Sequence, residues 1–425
     1  MTASADDRLL AELAAGFEAR FRDRVPSPRT VGREAEYPLV RVDGTAGDAA
    51  SVWPELVVEG CAPLRERPEG PVIGVDAARW SAVTEVGRGT LEVVVGPRPS
   101  LLDLAQDLDL ALEAILPAAR RAGYRVLGYG IQPRTPPHPG LLAPKRRYPA
   151  LLRAIGSRWL RFAVTASDQV HVDVARDEMM AAFNVMNGLA GALIALTANS
   201  PVYGGRPGRY ASGREGLMVA TTPEPYRHGA VPRAFADVEE YVRWAAGFRC
   251  LCLPGSGEGF RFPRGSYLDH ARGRPVDPEE FLFHEHYLWP SARPRARLGT
   301  LEVRPACQQP QHDSWAPAAL ALGLVEMLPE ARRILEDVPG ADAWGALLAY
   351  RSRAVRDGLA AEEPAPGFLE SVLDVAERGL KARGHGEEDL LSPLRERLAV
   401  RFGPADRARA LARSGGAVAV ANALA

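Results

Sequence analysis

Glu34 and Glu36 stand two residues apart in the run 31–42, with Gly32 two residues before the first. The run reads as a strand, so alternation of side chains aims both acids and Gly32 at one face. Two such carboxylates repel unless a proton or cation lies between them. Hard divalent ions take oxygen ligands, so Mg²⁺ or Mn²⁺ would suit the pair. The plain alternative is the solvent face of an edge strand, and spacing alone leaves both open. Three more runs repeat the pattern. Thr90 and Glu92 oppose Leu91 and Val93; Gln169, His171 and Asp173 oppose Val170, Val172 and Val174; Thr300, Glu302 and Arg304 oppose Leu301 and Val303. An antiparallel sheet with one solvated face would also alternate, yet solvent faces favour Lys, Thr and Ser, whereas these are rich in metal-ligand types. Carboxylates and arginines without a nucleophile motif suit phosphoryl transfer, in which metals bridge phosphate oxygens and arginines neutralise charge. The chain has no G-x-x-x-x-G-K-[ST], H-E-x-x-H, G-x-S-x-G or C-x-x-C motif.

The elements that must position these residues follow from periodicity. A charged amphipathic helix over roughly 6–24 precedes the first strand, and an Asp43-Gly44 turn follows it. Signals are weak through residue 74. Strands are expected at 90–95, 125–131, 169–174 and 299–304, and helices at 101–122, 181–198 and 235–248. Residues 133–144 form a Pro-rich rim loop. Residues 199–216 carry five glycines and three arginines and read as a flexible substrate lid. From Trp315 onward the pattern is helical, expected to pack the outer face of the sheet without a catalytic group. Interleaved strands followed by helices indicate an α+β plan rather than a βαβ parallel sheet.

Composition narrows the function classes. With 425 residues the length fits one large or two ordinary domains. The balance of 52 basic against 53 acidic residues argues against a nucleic-acid binder working by bulk charge. Only Lys145 and Lys381 are lysines, a bias that, with abundant Ala, reflects a GC-rich genome. Four cysteines without a paired motif read as a reducing cytoplasm, and the N-terminal helix lacks a signal peptide's apolar core. The most apolar run, 181–198, contains Asn184 and Asn187, so a buried helix is expected rather than a membrane span.

Several stretches then occur in a telling order: Gly32-x-Glu34-x-Glu36, Gly89-Thr-Leu-Glu92, Gly130-Ile-Gln-Pro133, Ala143-Pro-Lys-Arg-Arg-Tyr148, Thr165-Ala-Ser-Asp-Gln-Val-His-Val-Asp173, Ala198-Asn-Ser-Pro201, Gly208-Arg-Tyr-Ala-Ser-Gly-Arg214, Arg293-Pro294 and Gly299-Thr-Leu-Glu-Val-Arg304. Over roughly residues 28–330 the chain resembles the glutamate–cysteine ligases of plant and proteobacterial type and the related bacterial carboxylate–amine ligases. The resemblance implies a single catalytic domain over 1–425, with a helical region over about 315–425. It implies a curved antiparallel sheet forming a funnel with outer helices, as in glutamine synthetase and the guanidino kinases. It implies ATP-driven amide formation through an acyl phosphate, with Mg²⁺ or Mn²⁺, and glutamate plus cysteine as the best substrate pair. The rivals are another acid or amine under the same mechanism, or a non-catalytic relative.

By the same resemblance Glu34, Glu36, Glu92 and Glu302 match metal-binding carboxylates, Glu85 lies near a further family acid, and Gln169 falls where relatives carry Gln or a metal-binding His. Arg214, Arg293 and Arg304 match arginines that contact phosphate or a substrate carboxylate. Lys145 reaches a phosphate from the rim or is a solvated loop residue. His171 is either a ligand or, as preferred here, a hydrogen-bonded orienter of Gln169 and its metal. His284 and His286 read as structural or rim residues. Three departures bear on substrate identity: Cys307 replaces an Asp, Val164 an Arg, and Asp168 a hydrophobic residue, all expected near the amino-acid sites. Cys307 is either an inert core thiol or an adaptation of the substrate site. The partners implied are small amino acids, with no nucleic acid and no membrane, and a homo-oligomer is compatible with the pattern.

Overall fold

A computed structural model describes residues 4–257 and 259–425. Its centre is a nine-stranded sheet built from β1 (Val31–Val40), β2 (Ala62–Arg65), β3 (Val72–Asp76), β4 (Trp80–Thr84), β5 (Thr90–Arg98), β6 (Arg125–Val126), β7 (Ser167–Asp173), β8 (Ala292–Arg295) and β9 (Thr300–Cys307). The spatial order is β8-β9-β7-β1-β5-β4-β3-β2, with β6 also pairing with β1. Every pairing in it is antiparallel, as the α+β expectation requires. The four expected site strands are thus contiguous neighbours, β9-β7-β1-β5, although 60 or more residues separate most of them along the chain.

Register brings the polar faces together. Glu36 lies opposite Glu92, Glu34 opposite Gln169, and Glu302 opposite His171. Ala35, Tyr37, Leu91, Val93, Val170, Val172, Leu301 and Val303 turn the other way into the main core. Helices Leu101–Arg121, Ala316–Glu326 and Phe368–Arg383 cover this back face. Ala316–Glu326 is apolar on nearly all sides because it is sandwiched between β7 and Phe368–Arg383. Gly323 and Gly379 let the two helices touch: a Cβ on Gly323 would fall 2.2 Å from the carbonyl oxygen of Ala376.

Several sequence expectations need correction. Of the hairpin strands, β2 and the start of β3 fall in the stretch of weak signal, and β4 lies beyond it where no strand was expected. The run 125–131 is strand only at Arg125–Val126, because the following residues leave β1 to contact Thr165 through an isolated bridge at Ile131. The apolar run 181–198 is not one helix but two, Met179–Gly188 and Ala190–Thr197, bent by 51°. Ala190–Thr197 is buried along its whole length, so its apolarity is explained by the core. No single helix among the described residues is long and apolar enough to cross a membrane.

Asp168 also departs from expectation. It points to the back of the sheet, where both its oxygens accept from Arg33, at 2.7 and 2.8 Å. Arg33 further donates to the Ser314 carbonyl and stacks on the Trp315 ring at 4.4 Å. Both side chains are fully buried, so each charge depends on the other. Asp168→Asn is expected to cost about 3–5 kcal/mol, because it strands a buried guanidinium. The double change Arg33→Met with Asp168→Leu should cost less than the single one. Urea unfolding of the three proteins measures both.

Candidate active site

One cleft of about 870 Å³ opens over the polar sheet face. Glu34, Glu36, Glu92, Gln169, Glu302 and Arg304 line it from the sheet, and Glu85, Arg214 and Arg293 join them. Alternation in β1, β5, β7 and β9 accounts for the first six. Glu85 comes from the turn after β4. Arg214 comes from the first turn of the short helix Gly213–Met218. It is buried and anchored by its backbone N–H to Ser200 Oγ at 3.0 Å, so it is no part of a flexible lid. Arg206 and Arg209, earlier in the same stretch, are exposed.

The carboxylates divide into two groups. Donor oxygens of Glu36, Glu85 and Glu92 lie within 4.8 Å of one another, and so do donor atoms of Glu34, His171 and Glu302. In the first group compensation is slight. Glu36 accepts from the backbone N–H of Ser167 at 2.6 Å and from Gln169 Nε2 at 2.7 Å. Burial, and then Glu85, still push its pKa up to about 7. Burial, followed by Glu85, Glu34 and Glu36, holds Glu92 well above the usual carboxylate range. Oxygen donors this close, on carboxylates of which Glu36 and Glu92 are pushed toward the protonated form, would be relieved by a divalent cation, so this donor set fits a hard ion.

The second group is different. Burial works against the charge on Glu302, but Arg293, Arg304 and Arg295 outweigh it and hold its pKa well below the ordinary value. Arg293 spends its whole fork: Nε and Nη2 on Glu302, Nη1 on the carbonyls of His286 and Leu288 at 2.8 and 3.0 Å. Arg295 Nη1 reaches Glu302 at 3.1 Å. Arg304 Nη1 donates to both Glu302 and Gln169 Oε1. Gln169 therefore bridges Glu36 to Arg304, linking the two groups. His171 does not orient Gln169, as the sequence reading preferred. It lies between Thr300 Oγ1 and Glu34 Oε1, each at 3.1 Å. Burial opposes the charge on Glu34 too, yet His171 brings its pKa down.

Lys145 does not line the cleft; Arg147, two residues on, does. The lysine is half-buried behind Tyr148, and burial lowers its pKa against the pull of Glu85. Arg147 has no carboxylate within ion-pair distance among the described residues; its guanidinium lies over the Tyr148 ring and donates to that hydroxyl at 3.4 Å. The wall beyond it is aromatic, with Trp159, Phe162, Tyr287 and Trp289 in mutual contact. The Trp159 indole N–H has no acceptor among the described residues. Sequence reading missed this wall, since nothing in the spacing of residues 147–162 points at β8. Arg295 was legible in principle, being two residues from Arg293 on a strand. His286 lines the rim, whereas His284 donates its Nε2–H to the Ala245 carbonyl, 2.9 Å away, and stacks on Tyr267 as a core residue.

Of the other departures, Val164 packs in an apolar cluster with Tyr129 and Ile131, away from the cleft. Cys307 is buried against the hydroxyls of Ser200 and Ser212, at 3.2 and 3.4 Å. It thus sits beneath the turn that carries Arg214. A second cavity of about 950 Å³ continues along the same sheet face. Glu34 lines both cavities, and Gly32, Val94, Pro97 and Leu298 give the second an apolar lining, with His171, Asp173 and Thr300 at its polar edge.

A family model described as glutamate-cysteine ligase family 2 matches residues 30–422. A putative glutamate–cysteine ligase of Rubrobacter xylanophilus is 28% identical over 354 residues, covering 81% of this chain and 80% of that protein. The chloroplastic glutamate–cysteine ligase of Arabidopsis thaliana is 25% identical over 363 residues, 79% of this chain and 66% of its own length. Among solved structures, the glutamate–cysteine ligase of Francisella tularensis in complex with AMP superimposes with a TM-score of 0.55 at 12% identity, over 95% of this chain and 89% of that one. A bifunctional glutathione synthetase from Pasteurella multocida gives 0.54 at 15% identity, over 97% of this chain and about half (52%) of that one. At these identities the superpositions speak for the fold alone.

The charge imbalance predicts a metal response. Mn²⁺ or Mg²⁺ at about 100 times its Kd should stabilise the protein by ~2.7 kcal/mol. Glu92→Gln should remove most of that gain while raising the metal-free melting temperature. Calorimetric melting with and without the ion checks both.

Proposed function

The chain belongs to glutamate–cysteine ligase family 2, and from that premise we propose that it is an ATP-dependent ligase joining glutamate to cysteine through an acyl phosphate. One observation carries the reading: a single cleft sets the carboxylates of Glu36, Glu85 and Glu92, with donor oxygens within 4.8 Å of one another, beside Arg214, Arg293, Arg295 and Arg304. Such a site attracts cations and anions at once, which suits a metal-bound triphosphate and an amino-acid carboxylate. Magnesium, held by Glu36, Glu85 and Glu92, would offset the negative charge of the transferring phosphoryl group.

In this reading Glu36, Glu85 and Glu92 hold the ion, and Glu34, His171 and Glu302, with the arginines that answer Glu302, form the side that meets the anionic groups. The apolar second cavity takes the nucleotide base, as its lining and its shared residue Glu34 suggest. The sheet then acts as a funnel of the glutamine synthetase and guanidino kinase type, with phosphates at its neck. The glutamate carboxylate attacks the terminal phosphorus and ADP leaves. The amine of the second amino acid attacks the acyl carbon, and phosphate leaves with the bond pair. Arg304 and Arg214 stabilise charge on the phosphoryl group and the acyl phosphate. Arg293, its donors already spent, holds Glu302 and so positions Arg304. Arg147 and the Trp159 indole N–H are donors available to substrate carboxylates, and the aromatic wall suits a soft thiol side chain. No protein nucleophile is needed. The four cysteines, none in a disulfide, support action on small amino acids in a reducing cytoplasm.

With Mg²⁺ and ATP, ADP release should require both glutamate and cysteine, and γ-glutamylcysteine should form in equal amount. Glu302→Gln should lower kcat by about 10²-fold or more. ADP release with no pair from a panel of amino acids would overturn the ligase reading, and release with glutamate and a different amine would overturn the named product.

A further inference from the structure

The helices beyond the sheet contribute a buried charge that stands behind a residue of the cleft. Arg351 lies on the helix Ala343–Asp357. Its Nη2 donates to Glu215 Oε2, and the other oxygen of Glu215 accepts from Arg214 Nη1 at 2.5 Å. Arg351 Nε reaches Ser291 Oγ at 3.3 Å, and the Ser291 carbonyl accepts the backbone N–H of Arg304 at 2.8 Å. Arg214, Glu215 and Arg351 are each more than nine-tenths buried. The fold makes room for this guanidinium. Gly229 sits at φ +80°, and a Cβ there would fall 2.3 Å from Arg351 Nη2.

Buried charges so close compete for one partner. If Glu215 served Arg214 alone, the pair would be neutral and the cleft would lose a positive charge. Shared between two guanidiniums, Glu215 leaves the triad with one net positive charge, and Arg214 is the member lining the cleft. We propose that Arg351 is a positioning residue for the ligase reaction: by sharing Glu215 it keeps the charge of Arg214 available to the substrate's phosphoryl and carboxylate oxygens. The inference rests on the proposed role of Arg214 and goes beyond it, because it makes a helix outside the sheet part of the active machinery.

The test is steady-state ADP release with ATP, glutamate and cysteine, alongside the melting temperature of each variant. Arg214→Met and Arg351→Met should each lower kcat by about 10²-fold. Adding Glu215→Gln to Arg351→Met should recover at least about tenfold of the loss, since the amide no longer neutralises Arg214. A packing role for Arg351 predicts the opposite, a double variant no better than the single. Arg351→Lys, which keeps the charge, should stay within about tenfold of the parent protein and covers the case in which methionine is not tolerated; a lysine variant as impaired as Arg214→Met overturns the proposal. Full activity of Arg351→Met beside an impaired Arg214→Met overturns this inference alone. Full activity of Arg214→Met overturns both it and the reading of Arg214.

Discussion

Burying four carboxylates on one face of a sheet is the constraint from which most of this structure follows. Each ionised oxygen taken from water must be met by a donor, a counter-charge or a cation, or it takes up a proton. Glu302 is met by three guanidiniums, Glu34 by an imidazole, and Glu36 by a backbone N–H and an amide. Glu92 is left nearly alone. The gradient from over-compensated to under-compensated runs across the four neighbouring strands β9, β7, β1 and β5. It makes the site able to take a cation at one side and hold anions at the other.

The same constraint reaches through the sheet and beyond it. Arg33 and Glu34 are adjacent in sequence yet belong to opposite faces, so the strand that supplies the site also buries a cation in the core, where Asp168 answers it. Arg214 is satisfied by Glu215, which in turn is satisfied by Arg351 from a helix more than 130 residues later. Compensation of buried charge thus ties the late helices to the sheet as firmly as apolar packing does. Cys307 and the two serine hydroxyls around it belong to this supporting layer, since Ser200 also accepts the Arg214 N–H.

Strand residues were legible because a strand has a period of two: from Glu34 one reads Glu36, from Glu302 one reads Arg304, and from Arg293 one could have read Arg295. Family order then joined the runs, and the family match over residues 30–422 agrees with that identification. Loop and helix residues were harder. Arg214 was identified by its motif but given the wrong setting, a mobile lid, because five nearby glycines do not reveal that the turn is pinned to Ser200 above Cys307. The Lys145 and Arg147 pair shows the same limit, since loop spacing does not say which of two cations faces the cleft.

By itself the sequence determined the alternation of each strand, the chemical types on each face and the family, because these depend on neighbours two residues apart and on ordered motifs. Only the tertiary structure decided which carboxylates share a cation demand, that Asp168 serves the core, and that Arg351 stands behind Arg214. Those outcomes depend on strand register and on charges that meet only after residues 33 and 168, or 215 and 351, are brought within hydrogen-bond reach. Desolvation acts on groups in space, and no local pattern records which buried charge another will have to answer.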